Sequence, residues 1–144
     1  MKTVQQLSSG GVIFRRKNEE VEVALIAVKE GEVWELPKGL VEEGENIART
    51  AHREVREKTG LDGRILRKID SIHYFYSHKE GEETTRFFKI VYFFLMEYAE
   101  GDVADHDDEV DDCRWFPMDD AIERVEYENE RNILLRAREM IQNL

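Results

Sequence analysis

The stretch from Gly39 to Leu61, GLVEEGENIARTAHREVREKTGL, constrains this chain more than any other. Ile47, Ala48, Ala51 and Val55 recur at helical spacing, so Glu45 to Thr59 reads as one amphipathic helix. Gly60 stands where a left-handed residue closes such a helix, and Pro37 lies well before its start. At about 100° per residue, Glu54, Glu57 and Lys58 share an arc of roughly 100° on the helix surface. Two carboxylates one turn apart repel each other by about 0.2–0.5 kcal/mol on an isolated helix. A divalent cation between them reverses the sign. Hard oxygen ligands around a partly hydrated ion suit Mg²⁺, with Mn²⁺ as the alternative, and do not suit Zn²⁺, which prefers nitrogen and sulfur. A run of Glu, Lys and Arg is ordinarily a solvated helix face. Here the two glycines and the fixed spacing of the carboxylates between them argue for a built site.

Length and charge bound the partners. A chain of 144 residues is expected to form a single domain over 1–144 with a sizeable core. Its net charge of −11 repels the phosphates of DNA, RNA and anionic membranes, so neither a nucleic-acid polymer nor a membrane is expected as partner. A small polyphosphate stays compatible, provided metal ions and a few local Lys or Arg residues neutralise it. Cys113 is the single cysteine, which leaves no internal disulfide and fits a reducing cytoplasm. The opening MKTVQQLSSGG lacks the apolar run of a signal peptide, and Val91 to Met96 is too short to span a bilayer. A cytoplasmic monomer or homodimer is expected.

Along the chain, Val4 to Phe14 is strand-like around Gly10 and Gly11, followed by a turn at Arg15–Asn18. Val21 to Val28 reads as a mostly buried strand, and Val33 to Leu36 as a short one ended by Pro37. After the helix, Ile65 to Ser77 and Thr85 to Tyr98 form two long strands about a loop, His78–Thr84, that contains Gly81. An acidic loop, Ala99–Asp112, leads to a short strand, Cys113 to Phe116. Asp119 or Asp120 is the expected cap of a following helix, with Glu123 in capping-box position to Asp120. A last helix over about 128–143 carries Ile133, Leu134, Ala137, Met140 and Ile141 on one face. Strands, helix, strands, helices make an α/β (α+β) class with a mixed sheet and helices on its faces.

The fixed points of the 39–61 stretch are Gly39, Glu45, Arg53, Glu54, Val55, Glu57, Gly60 and Leu61. This pattern resembles the signature box of the Nudix hydrolases, with one departure: Lys58 stands where the family usually has Glu. The run Trp34-Glu35-Leu36-Pro37-Lys38-Gly39 resembles the box entry of the branch that cleaves diadenosine polyphosphates. The resemblance implies a Nudix-type α/β/α sandwich with a mixed β-sheet. It implies metal-dependent hydrolysis of a pyrophosphate bond in a nucleoside diphosphate linked to another group, with a dinucleoside polyphosphate such as diadenosine tetraphosphate favoured. The alternatives are a (modified) nucleoside triphosphate as substrate, or a non-catalytic nucleotide-binding or regulatory module.

By the same resemblance, Glu54 and Glu57 are the metal-binding and catalytic carboxylates, joined by the backbone carbonyl of Lys38, and Arg53 orients them. Glu109, in the loop before the Cys113 strand, stands where family members place a further metal ligand or base. Glu45, Gly39 and Gly60 support the box. Lys38, Lys79, Arg86 and Lys89 are candidates to meet phosphate, and Tyr74 or Tyr76 to stack on a purine. Lys58 leaves three readings open: a site with fewer or weaker metals in which Glu109 or a neighbour takes over, a direct contact from Lys58 to phosphate, or lost catalysis.

Overall fold

A computed structural model describes residues 1–144. Strands β1 (Lys2–Lys17), β2 (Glu20–Val28), β3 (Val33–Glu35) and β4 (Lys38–Leu40) precede helix α1 (Ile47–Thr59). Strands β5 (Leu61–Glu80) and β6 (Glu83–Gly101), a single 3₁₀ turn (Val103–Asp105), β7 (Asp112–Pro117), α2 (Met118–Arg124) and α3 (Glu128–Gln142) complete the chain. The main path of the mixed sheet is β3-β2-β1-β6-β5, with β4 added to β1 and β7 to β2. β1 and β6 run parallel and the other pairs antiparallel.

The period-two alternation of the strands divides the core into two layers. Val12, Phe14, Val23, Leu25, Val91, Phe93 and Leu95 face α2 and α3, against Ala121, Ile133, Leu134, Ala137 and Ile141. Ile13, Ala24, Ile26 and Met96 face the other way, with Val55 of α1 and Val110. This is the helix–sheet–helix sandwich expected, with the central strands apolar on both faces because both are covered.

Several boundaries differ from the sequence reading, each for a local reason. Arg15–Lys17 continue β1 by pairing with Val21 and its neighbours, and the turn is confined to Asn18 and Glu19, both at positive φ. The hairpin between β5 and β6 closes on Gly81 and Glu82 alone, so the polar residues at 78–80 and 83–84 belong to strands. α1 begins at Ile47 because Asn46 caps it, accepting from the Arg49 N–H at 2.8 Å. α2 starts after Pro117 without a side-chain cap, so the Asp120–Glu123 box is not used. β4, a strand of three residues, lies in what reads as a loop. Its pairing of Lys38, Gly39 and Leu40 with Gly10, Ser9 and Ser8 ties the entry of the box to the centre of the sheet.

Candidate active site

Arg53 is the hub of the box. Its Nε and Nη2 donate to the two oxygens of Glu45 at 2.7 and 3.0 Å, and Nη2 also donates to the Leu40 carbonyl at 3.1 Å. Nη1 reaches Glu54 Oε1 at 2.7 Å and Glu57 Oε2 at 3.2 Å. An isolated surface ion pair contributes about 0–1 kcal/mol. A guanidinium gripped in bidentate fashion by one carboxylate and shared with two others is a different object, since it fixes where those carboxylates point. Glu45 gains most from Arg53, and from the Glu42 N–H and the Thr50 hydroxyl, which hold its pKa down at about 2. A carboxylate depressed in the folded state contributes stability that is complete above the ordinary Glu range and disappears as pH falls through its folded pKa. Wild type is therefore expected to lose melting temperature between about pH 4.5 and 2, and Glu45→Gln to melt lower at pH 7 and flatten that loss. Melting curves across the pH range check this.

Glu54 is buried, and its Oε2 has no hydrogen-bond partner. Burial raises its pKa against the opposing pull of Arg53 and Lys58. A buried polar atom left without a partner costs about 1–3 kcal/mol, more when charged. Such an atom therefore points to a ligand that satisfies it. Glu57 is on the same turn with a side chain 47% exposed. Gly39 makes room for Glu54: a Cβ there would lie 2.0 Å from its Oε2. Gly39→Ala is expected to push Glu54 aside and weaken divalent-ion binding about 10- to 100-fold, measurable by Mn²⁺ titration of the substrate-free protein. Gly60 closes α1 at φ 77°, with its N–H on the Arg56 carbonyl, and leaves no space for a Cβ beside Asp102 O.

The β1–β4 register turns the Lys38 carbonyl away from β1. Pro37 O accepts from Gly11 N–H and Val41 N–H donates to Leu7 O, so the alternate carbonyls of Lys38 and Leu40 face outward, and Leu40's meets Arg53. Glu54, Glu57 and this carbonyl supply hard oxygen donors, and the orphaned Oε2 gives a divalent cation a place to bind, so the residues fit such an ion. No group of three or more His, Cys, Asp or Glu side chains forms a ready-made cage. Glu109 is held by Lys58, which also lies 3.8 Å from Asp107.

The same strand β4 opens onto a cleft on the α3 side. By period two, Gly39 faces α1 and the Lys38 side chain faces α3. There its ammonium pairs with Glu130 at 2.8 Å and Glu35 at 3.3 Å. Burial works against the Lys38 charge, and these two carboxylates outweigh it, so its pKa rises. Glu130, 1% exposed, also accepts from the Leu36 N–H at 2.6 Å. Lys38, Glu35, Glu130, Tyr74, Lys89 and Tyr127 help line a cleft of about 550 Å³. Burial, and then Lys38, push the Lys89 pKa down, and Lys89 has no ion-pair partner.

Two expected substrate residues lie elsewhere. Register pairs Tyr74 with Lys89, which puts them on one face, and Ser77 with Arg86, which puts Arg86 on the opposite face. The Arg86 guanidinium lies 4.3 Å over the Phe75 ring. Tyr76 shares the Tyr74 face but lies outside the cleft, stacked on Phe87 and donating to Gln6 Oε1 at 2.7 Å. Glu35, Tyr127 and Glu130 were not foreseen as site residues. Glu130 left a signal, a charged residue in register with the apolar stripe Ile133, Leu134, Ala137 and Ile141 of α3. Cys113 is core, its thiol pushed up to about 12 by burial.

The description "NUDIX domain" matches residues 4–138. The chain belongs to the Nudix family. It is 32% identical to the MutT4 protein of Mycobacterium tuberculosis, over all of this chain and 59% of that one. It is 30% identical to the 8-oxo-(d)GTP phosphatase of Mycolicibacterium smegmatis, over 90% of this chain and 40% of that one. The chain thus spans about half the length of these two Nudix relatives. Against the asymmetrical bis(5'-nucleosyl)-tetraphosphatase of Sus scrofa, identity is 30% over 87% of this chain and 88% of the relative. Among solved structures, a C. elegans Ap4A hydrolase binary complex superposes with a TM-score of 0.67 at 18% identity, over 96% of this chain and 99% of that one. The NUDIX domain of Shewanella oneidensis NrtR, complexed with ADP ribose, gives 0.70 at 21%, over 96% and 89%. At those identities the structures share the Nudix fold. In this Nudix structure no helix is long and apolar enough to cross a membrane.

Proposed function

We propose that this Nudix chain is a divalent-cation-dependent pyrophosphohydrolase acting on a nucleoside diphosphate linked to another group, and that the group is a second nucleotide, as in diadenosine tetraphosphate. The observation that carries the reading is the buried, partnerless Oε2 of Glu54, held in place by Arg53 beside Glu57. Glu54, Glu57 and the Lys38 carbonyl would hold the cation, Mg²⁺ or Mn²⁺. When bound, it supplies charge neutralisation of the pyrophosphate and a lowered pKa for an attacking water. Arg53 orients the two carboxylates. Glu57, the more open of them, accepts the proton that water loses as it attacks phosphorus. The phosphorus–oxygen bond of the anhydride breaks, and a phosphate-terminated nucleotide leaves. Lys89, which no carboxylate pairs, brings a free ammonium into the cleft beside Tyr74, while the Lys38 charge is already met by Glu130 and Glu35.

The two-nucleotide substrate draws on that cleft, where Tyr74 and Tyr127 offer aromatic faces to a purine, and on the identity with the tetraphosphatase. Stacking on one aromatic side chain contributes about 1–3 kcal/mol per base. Tyr74→Ala is accordingly expected to raise KM for diadenosine tetraphosphate about 5- to 100-fold with kcat little changed, in steady-state assays. Identity to an 8-oxo-(d)GTP phosphatase favours a second reading, a modified nucleoside triphosphate. Nucleotide release from diadenosine tetraphosphate, 8-oxo-dGTP and ADP-ribose, with and without Mg²⁺, separates these. Fastest Mg²⁺-dependent cleavage of the dinucleotide supports the first reading, and preference for 8-oxo-dGTP replaces it with the second. Binding without any release would leave a nucleotide-binding module.

A further inference from the structure

Lys58 is the one position of the box that departs from the family pattern, and its surroundings give the departure a role. It lies in the last turn of α1, where a cation is favoured by the helix dipole. Its side chain is only 12% exposed. The ammonium bonds Glu109 Oε2 and stands 3.8 Å from Asp107 Oδ2. The loop that delivers these carboxylates is docked on α1: Asp107 N–H donates to the Glu57 carbonyl at 2.9 Å, and Asp107 Oδ1 accepts from Glu109 N–H at 3.1 Å.

A solvated lysine on a helix face would point to water. This one is instead paired with carboxylates that arrive from a loop distant in sequence, beside the turn that bears Glu54 and Glu57. An ammonium so placed does part of what a second divalent ion would do, since it neutralises Glu109 and Asp107. It also repels any further cation brought to the same turn.

We propose that Lys58 is a built-in cation that withholds Glu109 from metal binding, so that the site takes one divalent ion on Glu54 and Glu57 rather than a cluster. The inference rests on the cation reading of Glu54 and Glu57 given above. It makes Lys58 a positioning residue that sets metal number and places no group on the substrate.

The test is a Mn²⁺ titration of the substrate-free chain, following the resonance of the free ion, for wild type, Lys58→Met, Lys58→Glu, Lys58→Met/Glu109→Gln and Glu57→Gln. Wild type is expected to bind one ion per chain. Lys58→Met is expected to bind Mn²⁺ about tenfold more tightly or to gain a second ion, Lys58→Glu to gain a second ion, and the double variant to lose the gain. Glu57→Gln is expected to lose binding. If Lys58→Met and Lys58→Glu bind as wild type does while Glu57→Gln still loses the ion, this inference fails and the cation site stands. The same holds if the gain survives in the double variant, or if Lys58→Met only lowers the melting temperature. If Glu57→Gln binds Mn²⁺ like wild type, the cation reading itself fails and takes this inference with it. Lys58→Met preserves length and bulk, so it reports even should Lys58→Glu fail to fold.

Discussion

Glu54→Gln is expected to lower kcat/KM by about 10³-fold, an effect on the order of 4 kcal/mol. The amide keeps the shape of the side chain and its Oε1 contact with Arg53, so the network around Glu45 survives. What changes is the atom at the buried Oε2 position, where a donor replaces an acceptor that no group of the protein satisfies. A cation placed there loses a charged ligand, and the charge stabilisation that a metal supplies to a pyrophosphate amounts to several kcal/mol. The folded state without metal gains little from the buried carboxylate, whose burial already disfavours its charge. The variant is therefore expected to melt within a few degrees of wild type while losing Mn²⁺ binding. Steady-state rates and a metal titration on one preparation check both halves. Retention of more than a tenth of wild-type kcat/KM would remove Glu54 from the reaction.

The second large effect is on folding. Glu130→Ala is expected to cost about 3–5 kcal/mol, the range for removing one partner of a buried ion pair. Glu130 is 1% exposed, and its loss strands the Leu36 N–H and leaves the Lys38 ammonium with Glu35 and the Leu36 carbonyl. At about 2–4 °C per kcal/mol for a chain of this size, the melting temperature should fall by roughly 6–20 °C. Substituting both partners, Lys38→Met with Glu130→Leu, is expected to recover much of that, because an apolar pair removes two buried charges together. A double variant no more stable than Glu130→Ala would mean that the Leu36 N–H, not the lysine, accounts for the loss. Since Lys38 and Gly39 are neighbours in β4, a loosened Lys38 should also disturb the Gly39 passage beside Glu54.

Much of the chain is legible in its residue order. α1 declared itself by its apolar stripe and by Gly60, both of which are local in sequence and independent of the rest of the fold. The β5–β6 hairpin followed from two apolar runs about a glycine, although its strands extend further into the polar residues than propensity indicates, because the hairpin partner supplies their hydrogen bonds. Arg86 lies on the face opposite Tyr74 and Lys89, which a list of nearby basic residues, carrying no register, does not show. One residue of offset in a strand turns a side chain to the other face of the sheet.

The box was readable from residue order alone: which side chains lie on one turn of α1, that two of them are carboxylates, and that a lysine stands beside them. Those relations lie within one helix, whose geometry is the same in any fold. What each of them meets follows from the way the chain packs. Glu130 comes from α3 to hold Lys38, Glu109 and Asp107 come from the loop before β7 to enclose Lys58, and Glu54 Oε2 is left with no partner at all. Pairing across such sequence distances depends on how the sheet carries its helices and loops, which no local pattern of residues encodes.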